Sequence, residues 1–138
     1  LFGFDPKVAF VSHSTFGQQL TSRTKHIKNA VEILKEKNID FEFDGDMQPD
    51  VALNEEYKSL YPFSKIVGNA NILIMPGQHS AAISYKMMKT LGDAKVIGPL
   101  LIGLGLPIEI APLRSSTSEI LNLASIAAYS ADVINYNK

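Results

Sequence analysis

Cysteine is absent from these 138 residues, which excludes a thiol nucleophile, a thiolate zinc site and a disulfide framework, and agrees with a reducing, cytoplasmic setting. Arginine is scarce: Arg23 and Arg114 stand alone. With 13 basic against 14 acidic residues and a net charge of −1, the chain has no basic stripe to follow a nucleic-acid backbone, so nucleic acid is not an expected partner. Long apolar runs are lacking too. Val96 to Leu106 falls short of the roughly 20 residues a membrane helix needs, and glycine and proline interrupt it; no membrane partner is expected. No repeat or low-complexity segment occurs, and no signal-peptide pattern opens the chain. Leu1 stands where an initiator methionine would, and Phe2-Gly3-Phe4-Asp5-Pro6 follows at once, so we expect the chain to begin inside a longer polypeptide. The length suits one domain, large enough to bury roughly two-thirds of the surface its unfolded form exposes.

What is present alternates between strand-like and helix-like segments. Lys7 to Ser12, Phe41 to Phe43, Asn71 to Met75, Val96 to Gly103 and Pro107 to Ala111 are short, apolar and bounded by turn formers, as strands tend to be. Thr24 to Lys37 places Ile27, Ala30, Val31 and Leu34 at helical spacing. A short helix is expected over Val51 to Leu60, started by Asp50 or Asn54. Two longer ones follow, Ser80 to Leu91 with Gly92 as its stop and Ser118 to about Val133 with Ile120, Leu123, Ala124, Ala127 and Ala131 on a core-facing stripe. Strands alternating with helices predict an α/β fold with a mostly parallel sheet covered on both faces. Ligands in such folds bind at the carboxyl ends of the strands. The loops Ser12 to Gly17, Asp44 to Asp46, Pro76 to Ser80 and Arg114 to Ser118 should therefore converge on one cleft.

Those loops hold the candidate binding residues. Ser12, Ser14, Thr15 and Gly17 could cradle an anion with hydroxyls and backbone N–H groups, although they lack the glycine spacing and lysine of a P-loop. Asp44-Gly45-Asp46 offers two carboxylates, but Asp-Gly is first of all a turn signal. Ser116-Thr117-Ser118-Glu119 has capping-box spacing. Beside that helix start, Arg114, Ser115 and Ser116 could hold a phosphate or carboxylate, and the same spacing also describes an ordinary capped helix. His13, His26 and His79 are scattered without metal-ligand spacing, and no metal site is expected. His13, in a loop of the expected cleft, stands out among them. Gly103-Leu104-Gly105 fails as a dinucleotide fingerprint because Pro107 and a strand-like run follow it. Lys86 and Lys89 read as a solvated helix face.

Five blocks in order then resemble one family. They are PKVAFVSHSTFG (Pro6 to Gly17), DGDMQPDVALN (Asp44 to Asn54), PFSKIVGNANILIMP (Pro62 to Pro76), AAISYKMMKTLGDAKVIGPLLIGLGLPI (Ala81 to Ile108) and IAPLRSSTSEILNLA (Ile110 to Ala124). Together they resemble the C-terminal half of the phosphate acetyltransferase and butyryltransferase module, across nearly the whole chain. The resemblance implies a three-layer sandwich with a mostly parallel sheet, of the isocitrate/isopropylmalate dehydrogenase-like kind. Within the family, STFG at Ser14 to Gly17, MPG at Met75 to Gly77 and the IAPL…TSEIL pattern are most similar to the domain fused to the C-terminus of bacterial NADP-dependent malic enzymes. Residues 1–138 would then be half of a transferase-like domain, and the rest would lie upstream.

Active members of that family move an acyl group between coenzyme A and phosphate. The resemblance implies a Ser-Arg pair before the last helix and an Asp in its first turn. Counting back from Asn122, Glu119 takes the acidic place while Pro112 and Leu113 fall where Ser-Arg should stand. Slipping by one residue seats Arg114 on the arginine and leaves Leu113 for the serine. Losing one oriented transition-state donor costs about 100- to 1000-fold in rate, so no residue here is expected to be catalytic. The resemblance thus implies a regulatory and oligomerising domain, dimeric or higher, that binds acetyl-CoA or a related thioester through Ser12, Ser14, Thr15, Gly17, Asp44, Arg114, Ser115, Ser116 and Glu119. It places NADP and a divalent metal, Mg or Mn, upstream with malate oxidation, and no cofactor in this chain. The alternative is an active phosphate acetyltransferase or butyryltransferase.

Overall fold

The computed structural model describes residues 3–92 and 95–136, so Leu1, Phe2 and the last two residues of the polar tail lie outside the described part. Its elements run β1 (Lys7–Val11), α1 (Ser22–Glu36), β2 (Glu42–Met47), α2 (Pro49–Leu53), α3 (Glu55–Lys58), β3 (Ile72–Ile74), α4 (Gln78–Leu91) and α5 (Thr117–Tyr136). The chain divides within α4 into two compact units, Leu1–Lys86 and Met87–Lys138. No described helix is long and apolar enough to cross a membrane.

The first unit is built on a parallel sheet in the order β2-β1-β3. Alternate residues of the central strand feed two cores, as the two-residue period of a strand requires. Val8 joins Val31 of α1 and Phe43 of β2 on one face, with Phe10 and Leu34 packed against them. Ala9 joins Met47, Val51 and Ala52 on the other, with Ile66 and Ala70. A helix on one side and α2 with its following segment on the other make three layers, and the fold class is α/β.

Local chemistry explains the helix starts. Thr21 caps α1: its Oγ1 accepts from the Thr24 N–H at 3.2 Å, and Thr24 Oγ1 accepts from the Thr21 N–H at 2.8 Å. This reciprocal pair begins the helix two residues before the position expected from periodicity. The helix foreseen over Val51 to Leu60 is two short ones, because Asn54 leaves helical geometry and caps α3 by accepting from the Glu56 N–H at 2.9 Å. α4 stops where expected, with the Gly92 N–H donating to the Met88 carbonyl at 2.9 Å.

Three expectations are corrected. Asp44-Gly45-Asp46 is no turn but the middle of β2, and the register slips opposite Phe10 and Val11 so that Asp46 is the extra residue of a bulge. Val96 to Gly103 and Pro107 to Ala111 form no strand. Pro99 and Pro107 lack the N–H that a ladder needs, while Gly98 and Gly103 take φ of 129° and 82°. The stripe on α5 is also narrower than its pattern: Leu123 is buried, whereas Ile120 and Ala124 are exposed. α4 buries no residue at all.

Candidate functional site

The loop after β1 is braced from within. Ser12 Oγ accepts from the Ser14 N–H at 3.1 Å, Ser14 Oγ from the Gln19 N–H at 3.0 Å, and Thr15 Oγ1 from the Gln48 N–H at 3.1 Å. Ser14 and Thr15 are each 1% exposed. The bulge in β2 turns Asp46 toward this loop, where its Oδ1 accepts from the Gly17 N–H at 3.1 Å and its carbonyl accepts from the Phe16 N–H at 2.6 Å. Gly17 takes φ of 82°, which glycine adopts without steric cost. Asp44 is likewise spent on backbone: Oδ1 accepts from the Gly45 N–H at 2.9 Å and Oδ2 from the Lys65 N–H at 2.8 Å. Of the first-unit candidates, Ser14, Thr15 and Gly17 thus hold the loop in shape; Asp44 lines an open hollow of about 250 Å³ beside Lys28 and Lys65, and Ser12 reaches a larger cavity.

That cavity measures about 750 Å³ and lies at the carboxyl ends of β1 and β3. Ser12, His13, Arg23 and His79 give it a polar side, and Ile27 and Met75 belong to its apolar wall. The expected meeting of the Ser12 to Gly17 loop with the Pro76 to Ser80 loop therefore takes place here. Arg23 escaped the sequence reading, and His79, although inside the Pro76 to Ser80 loop, was set aside as a scattered histidine. The signal lay in position, since both fall in the first turn of a helix, α1 and α4, at the strand-end side where the fold puts its ligands. His26 lies on the exposed surface of α1. Among the described residues, no group of three or more His, Asp or Glu could hold a metal ion.

In the second unit, the capping box at the start of α5 closes. Glu119 accepts from the Ser116 N–H at 2.7 Å and from the Ser116 hydroxyl at 2.9 Å, while Ser116 Oγ accepts from the Glu119 N–H at 3.3 Å. Lys89, read from sequence as a solvated residue, forms a short ion pair with the same carboxylate. The Lys89 hydrogen bond first, then the two from Ser116, pull the Glu119 pKa down to about 2. Pro112, Ser115 and Glu119 line a hollow of about 20 Å³, room for one water and far too little for an acyl phosphate. Arg114 is exposed and forms no ion pair with a described residue, and Leu113 is fully exposed.

Comparisons with known proteins agree with the resemblance read from the sequence. The family model for phosphate acetyl/butaryl transferase matches residues 1–128. An NADP-dependent malic enzyme of Rhizobium meliloti is 47% identical over 94% of this chain and 17% of its own length. A phosphate acetyltransferase of Clostridium acetobutylicum is 36% identical over 95% of this chain and 40% of its own length. A phosphotransacetylase structure from Streptococcus pyogenes superposes with a TM-score of 0.85 at 36% identity, covering 93% of this chain and 39% of that one. The chain thus spans under a fifth of the malic enzyme and about two-fifths of either transferase.

Proposed function

The chain belongs to the phosphate acetyl/butaryl transferase family, and from that premise we propose that it is a regulatory and assembly domain of an NADP-dependent malic enzyme. In this reading it binds acetyl-CoA without transferring the acyl group. Malate is oxidised and decarboxylated to pyruvate by other domains of the same polypeptide, which hold NADP and Mg or Mn. The assembly is a cytoplasmic homo-oligomer, and residues 1–138 form the C-terminal half of its transferase-like domain.

The state of Glu119 carries the proposal. Acyl transfer to coenzyme A needs a group to take the thiol proton and donors for the charged tetrahedral transition state, and a general base works best with a pKa near the working pH. A carboxylate at about 2, tied to Lys89 and Ser116, is a weak base at neutral pH. Pro112 and Leu113 in front of α5 supply neither an alcohol nor a guanidinium. The similarity to malic enzymes at up to 47% identity supports the parent activity. Kinship with phosphotransacetylases favours the second reading, an active acyltransferase.

One assay separates the two. The intact polypeptide should decarboxylate malate with NADP, at a rate that acetyl-CoA changes, and should form no acetyl phosphate from acetyl-CoA and phosphate. Robust acetyl phosphate synthesis that disappears in Arg114→Met would replace this reading with the transferase.

A further inference from the structure

We propose that the hollow beside α1 and the end of β2 binds a free α-amino acid, its ammonium taken by Asp46 and its carboxylate by Lys28 and Lys65. The hollow measures about 250 Å³, below the roughly 300–1,000 Å³ of drug-sized sites, which suits a small metabolite. One face of α1, the bulged end of β2 and the segment after α3 build it. It is separate from the strand-end cavity, and the two share no lining residue.

Asp46 supplies the demand for a donor. It is 2% exposed; its Oδ1 accepts from the Gly17 N–H at 3.1 Å, but its Oδ2 has no hydrogen-bond partner among the described residues. A buried carboxylate oxygen left unpaired is costly, and a ligand ammonium removes that cost. Asp44 does not compete, because the Gly45 and Lys65 N–H groups occupy both of its oxygens. Lys28 and Lys65 supply the opposite demand. Both are exposed, and their ammonium groups form no ion pair or hydrogen bond with a described residue. Glu32, one turn along α1 from Lys28, is held by Lys35 at 2.8 Å, and that hydrogen bond is the first cause of its lowered pKa. Lys28 and Lys65 act on it only as more distant charges.

The rings of Phe16 and Phe63 complete the lining. Phe16 takes φ of 47°, a left-handed conformation uncommon for a bulky side chain and a mark of functional constraint. Its ring lies edge on to that of Phe63, with centroids 4.8 Å apart, and both residues border the hollow. Aromatic rings attract an ammonium, so they favour the same end of the ligand as Asp46. A simple anion would satisfy the lysines and leave Asp46 unpaired. A simple cation would satisfy Asp46 and meet the repulsion of the lysines. A molecule with both charges borne on one carbon answers the whole set.

The inference goes beyond the regulatory reading, because this hollow requires neither acetyl-CoA nor malate oxidation. A ligand-observed NMR titration of the intact polypeptide tests it with L-alanine, which adds only a methyl group to the bare zwitterion. L-Alanine at up to about 20 mM should bind, a range that reaches well past a dissociation constant of about 1 mM. Propionate lacks the ammonium and ethylamine the carboxylate, and each should bind about tenfold more weakly or worse. Lys28→Met and Lys65→Met, both at exposed positions, should each weaken L-alanine by about tenfold. Asp46→Asn keeps an acceptor for the Gly17 N–H and should erase the preference for L-alanine over propionate. Should that variant not fold, the lysine variants carry the test. No binding of L-alanine, binding that both lysine variants leave unchanged, either half-molecule binding as well as the whole, or a preference that survives in folded Asp46→Asn overturns the proposal.

Discussion

Glu119 shows how one side chain serves two ends. It closes the capping box of α5 and anchors Lys89, and both contacts favour its charged form. The folded pKa, about 2, lies below the ordinary 4.5. Its contribution to stability is therefore complete above pH 4.5 and is lost as the pH falls toward 2. Glu119→Gln should lower stability at pH 7 and flatten its decline between pH 4.5 and 2, as read by urea unfolding across that range. An unchanged profile would mean the contacts with Lys89 and Ser116 carry no weight. Half of this arrangement was legible: Ser-x-x-Glu spacing named the cap, but no spacing could bring Lys89 across 30 residues of chain. The serine and threonine of the Ser12 to Gly17 loop taught the reverse lesson. Hydroxyls that could cradle a ligand turned inward, where they accept from the backbone N–H groups of Gln19 and Gln48. Lys58 is a further case that only the fold reveals. Its amine is buried without a partner among the described residues, and burial pushes its pKa below the ordinary lysine value.

At the scale of elements, β2 decides the shape of the strand ends. Gly45 lies against Phe10, so close that an added Cβ would come 2.7 Å from both the Phe10 Cβ and its carbonyl oxygen, at a φ of 153° that side chains rarely adopt. Gly45→Ala should cost at least about 2 kcal/mol, the scale of overpacking and backbone strain. It should also loosen the bulge that aims Asp46 at Gly17. Urea unfolding would measure the loss, and a change under half of that would show that β1 and β2 can part locally. Asp-Gly suggested a turn because the pair is common in turns; here glycine serves close strand contact instead. The failure of Val96 to Gly103 and Pro107 to Ala111 as strands has a parallel cause. Apolarity and branching mark what a segment can bury, whereas pairing needs an unbroken run of donors, which Pro99 interrupts inside Val96 to Gly103.

For the molecule as a whole, a ligand that binds only the folded state must stabilise it. Acetyl-CoA at 100 times its dissociation constant should raise the unfolding free energy of the intact polypeptide by about 2.7 kcal/mol, visible as an upward shift of the melting temperature. A melting curve unmoved by acetyl-CoA would leave the domain with assembly alone. The sequence by itself determined the α/β class, the places of three strands among the five it suggested, the long helices and the family, because hydrophobic periodicity, turn residues and capping spacings are local and repeat within a few positions. Only the tertiary structure decided which hydroxyls face solvent, that Lys89 meets Glu119, and that His13, Arg23 and His79 share one cavity. Those facts depend on strand order and on the competition of buried backbone groups for partners, and neither is written in the spacing of residues along the chain.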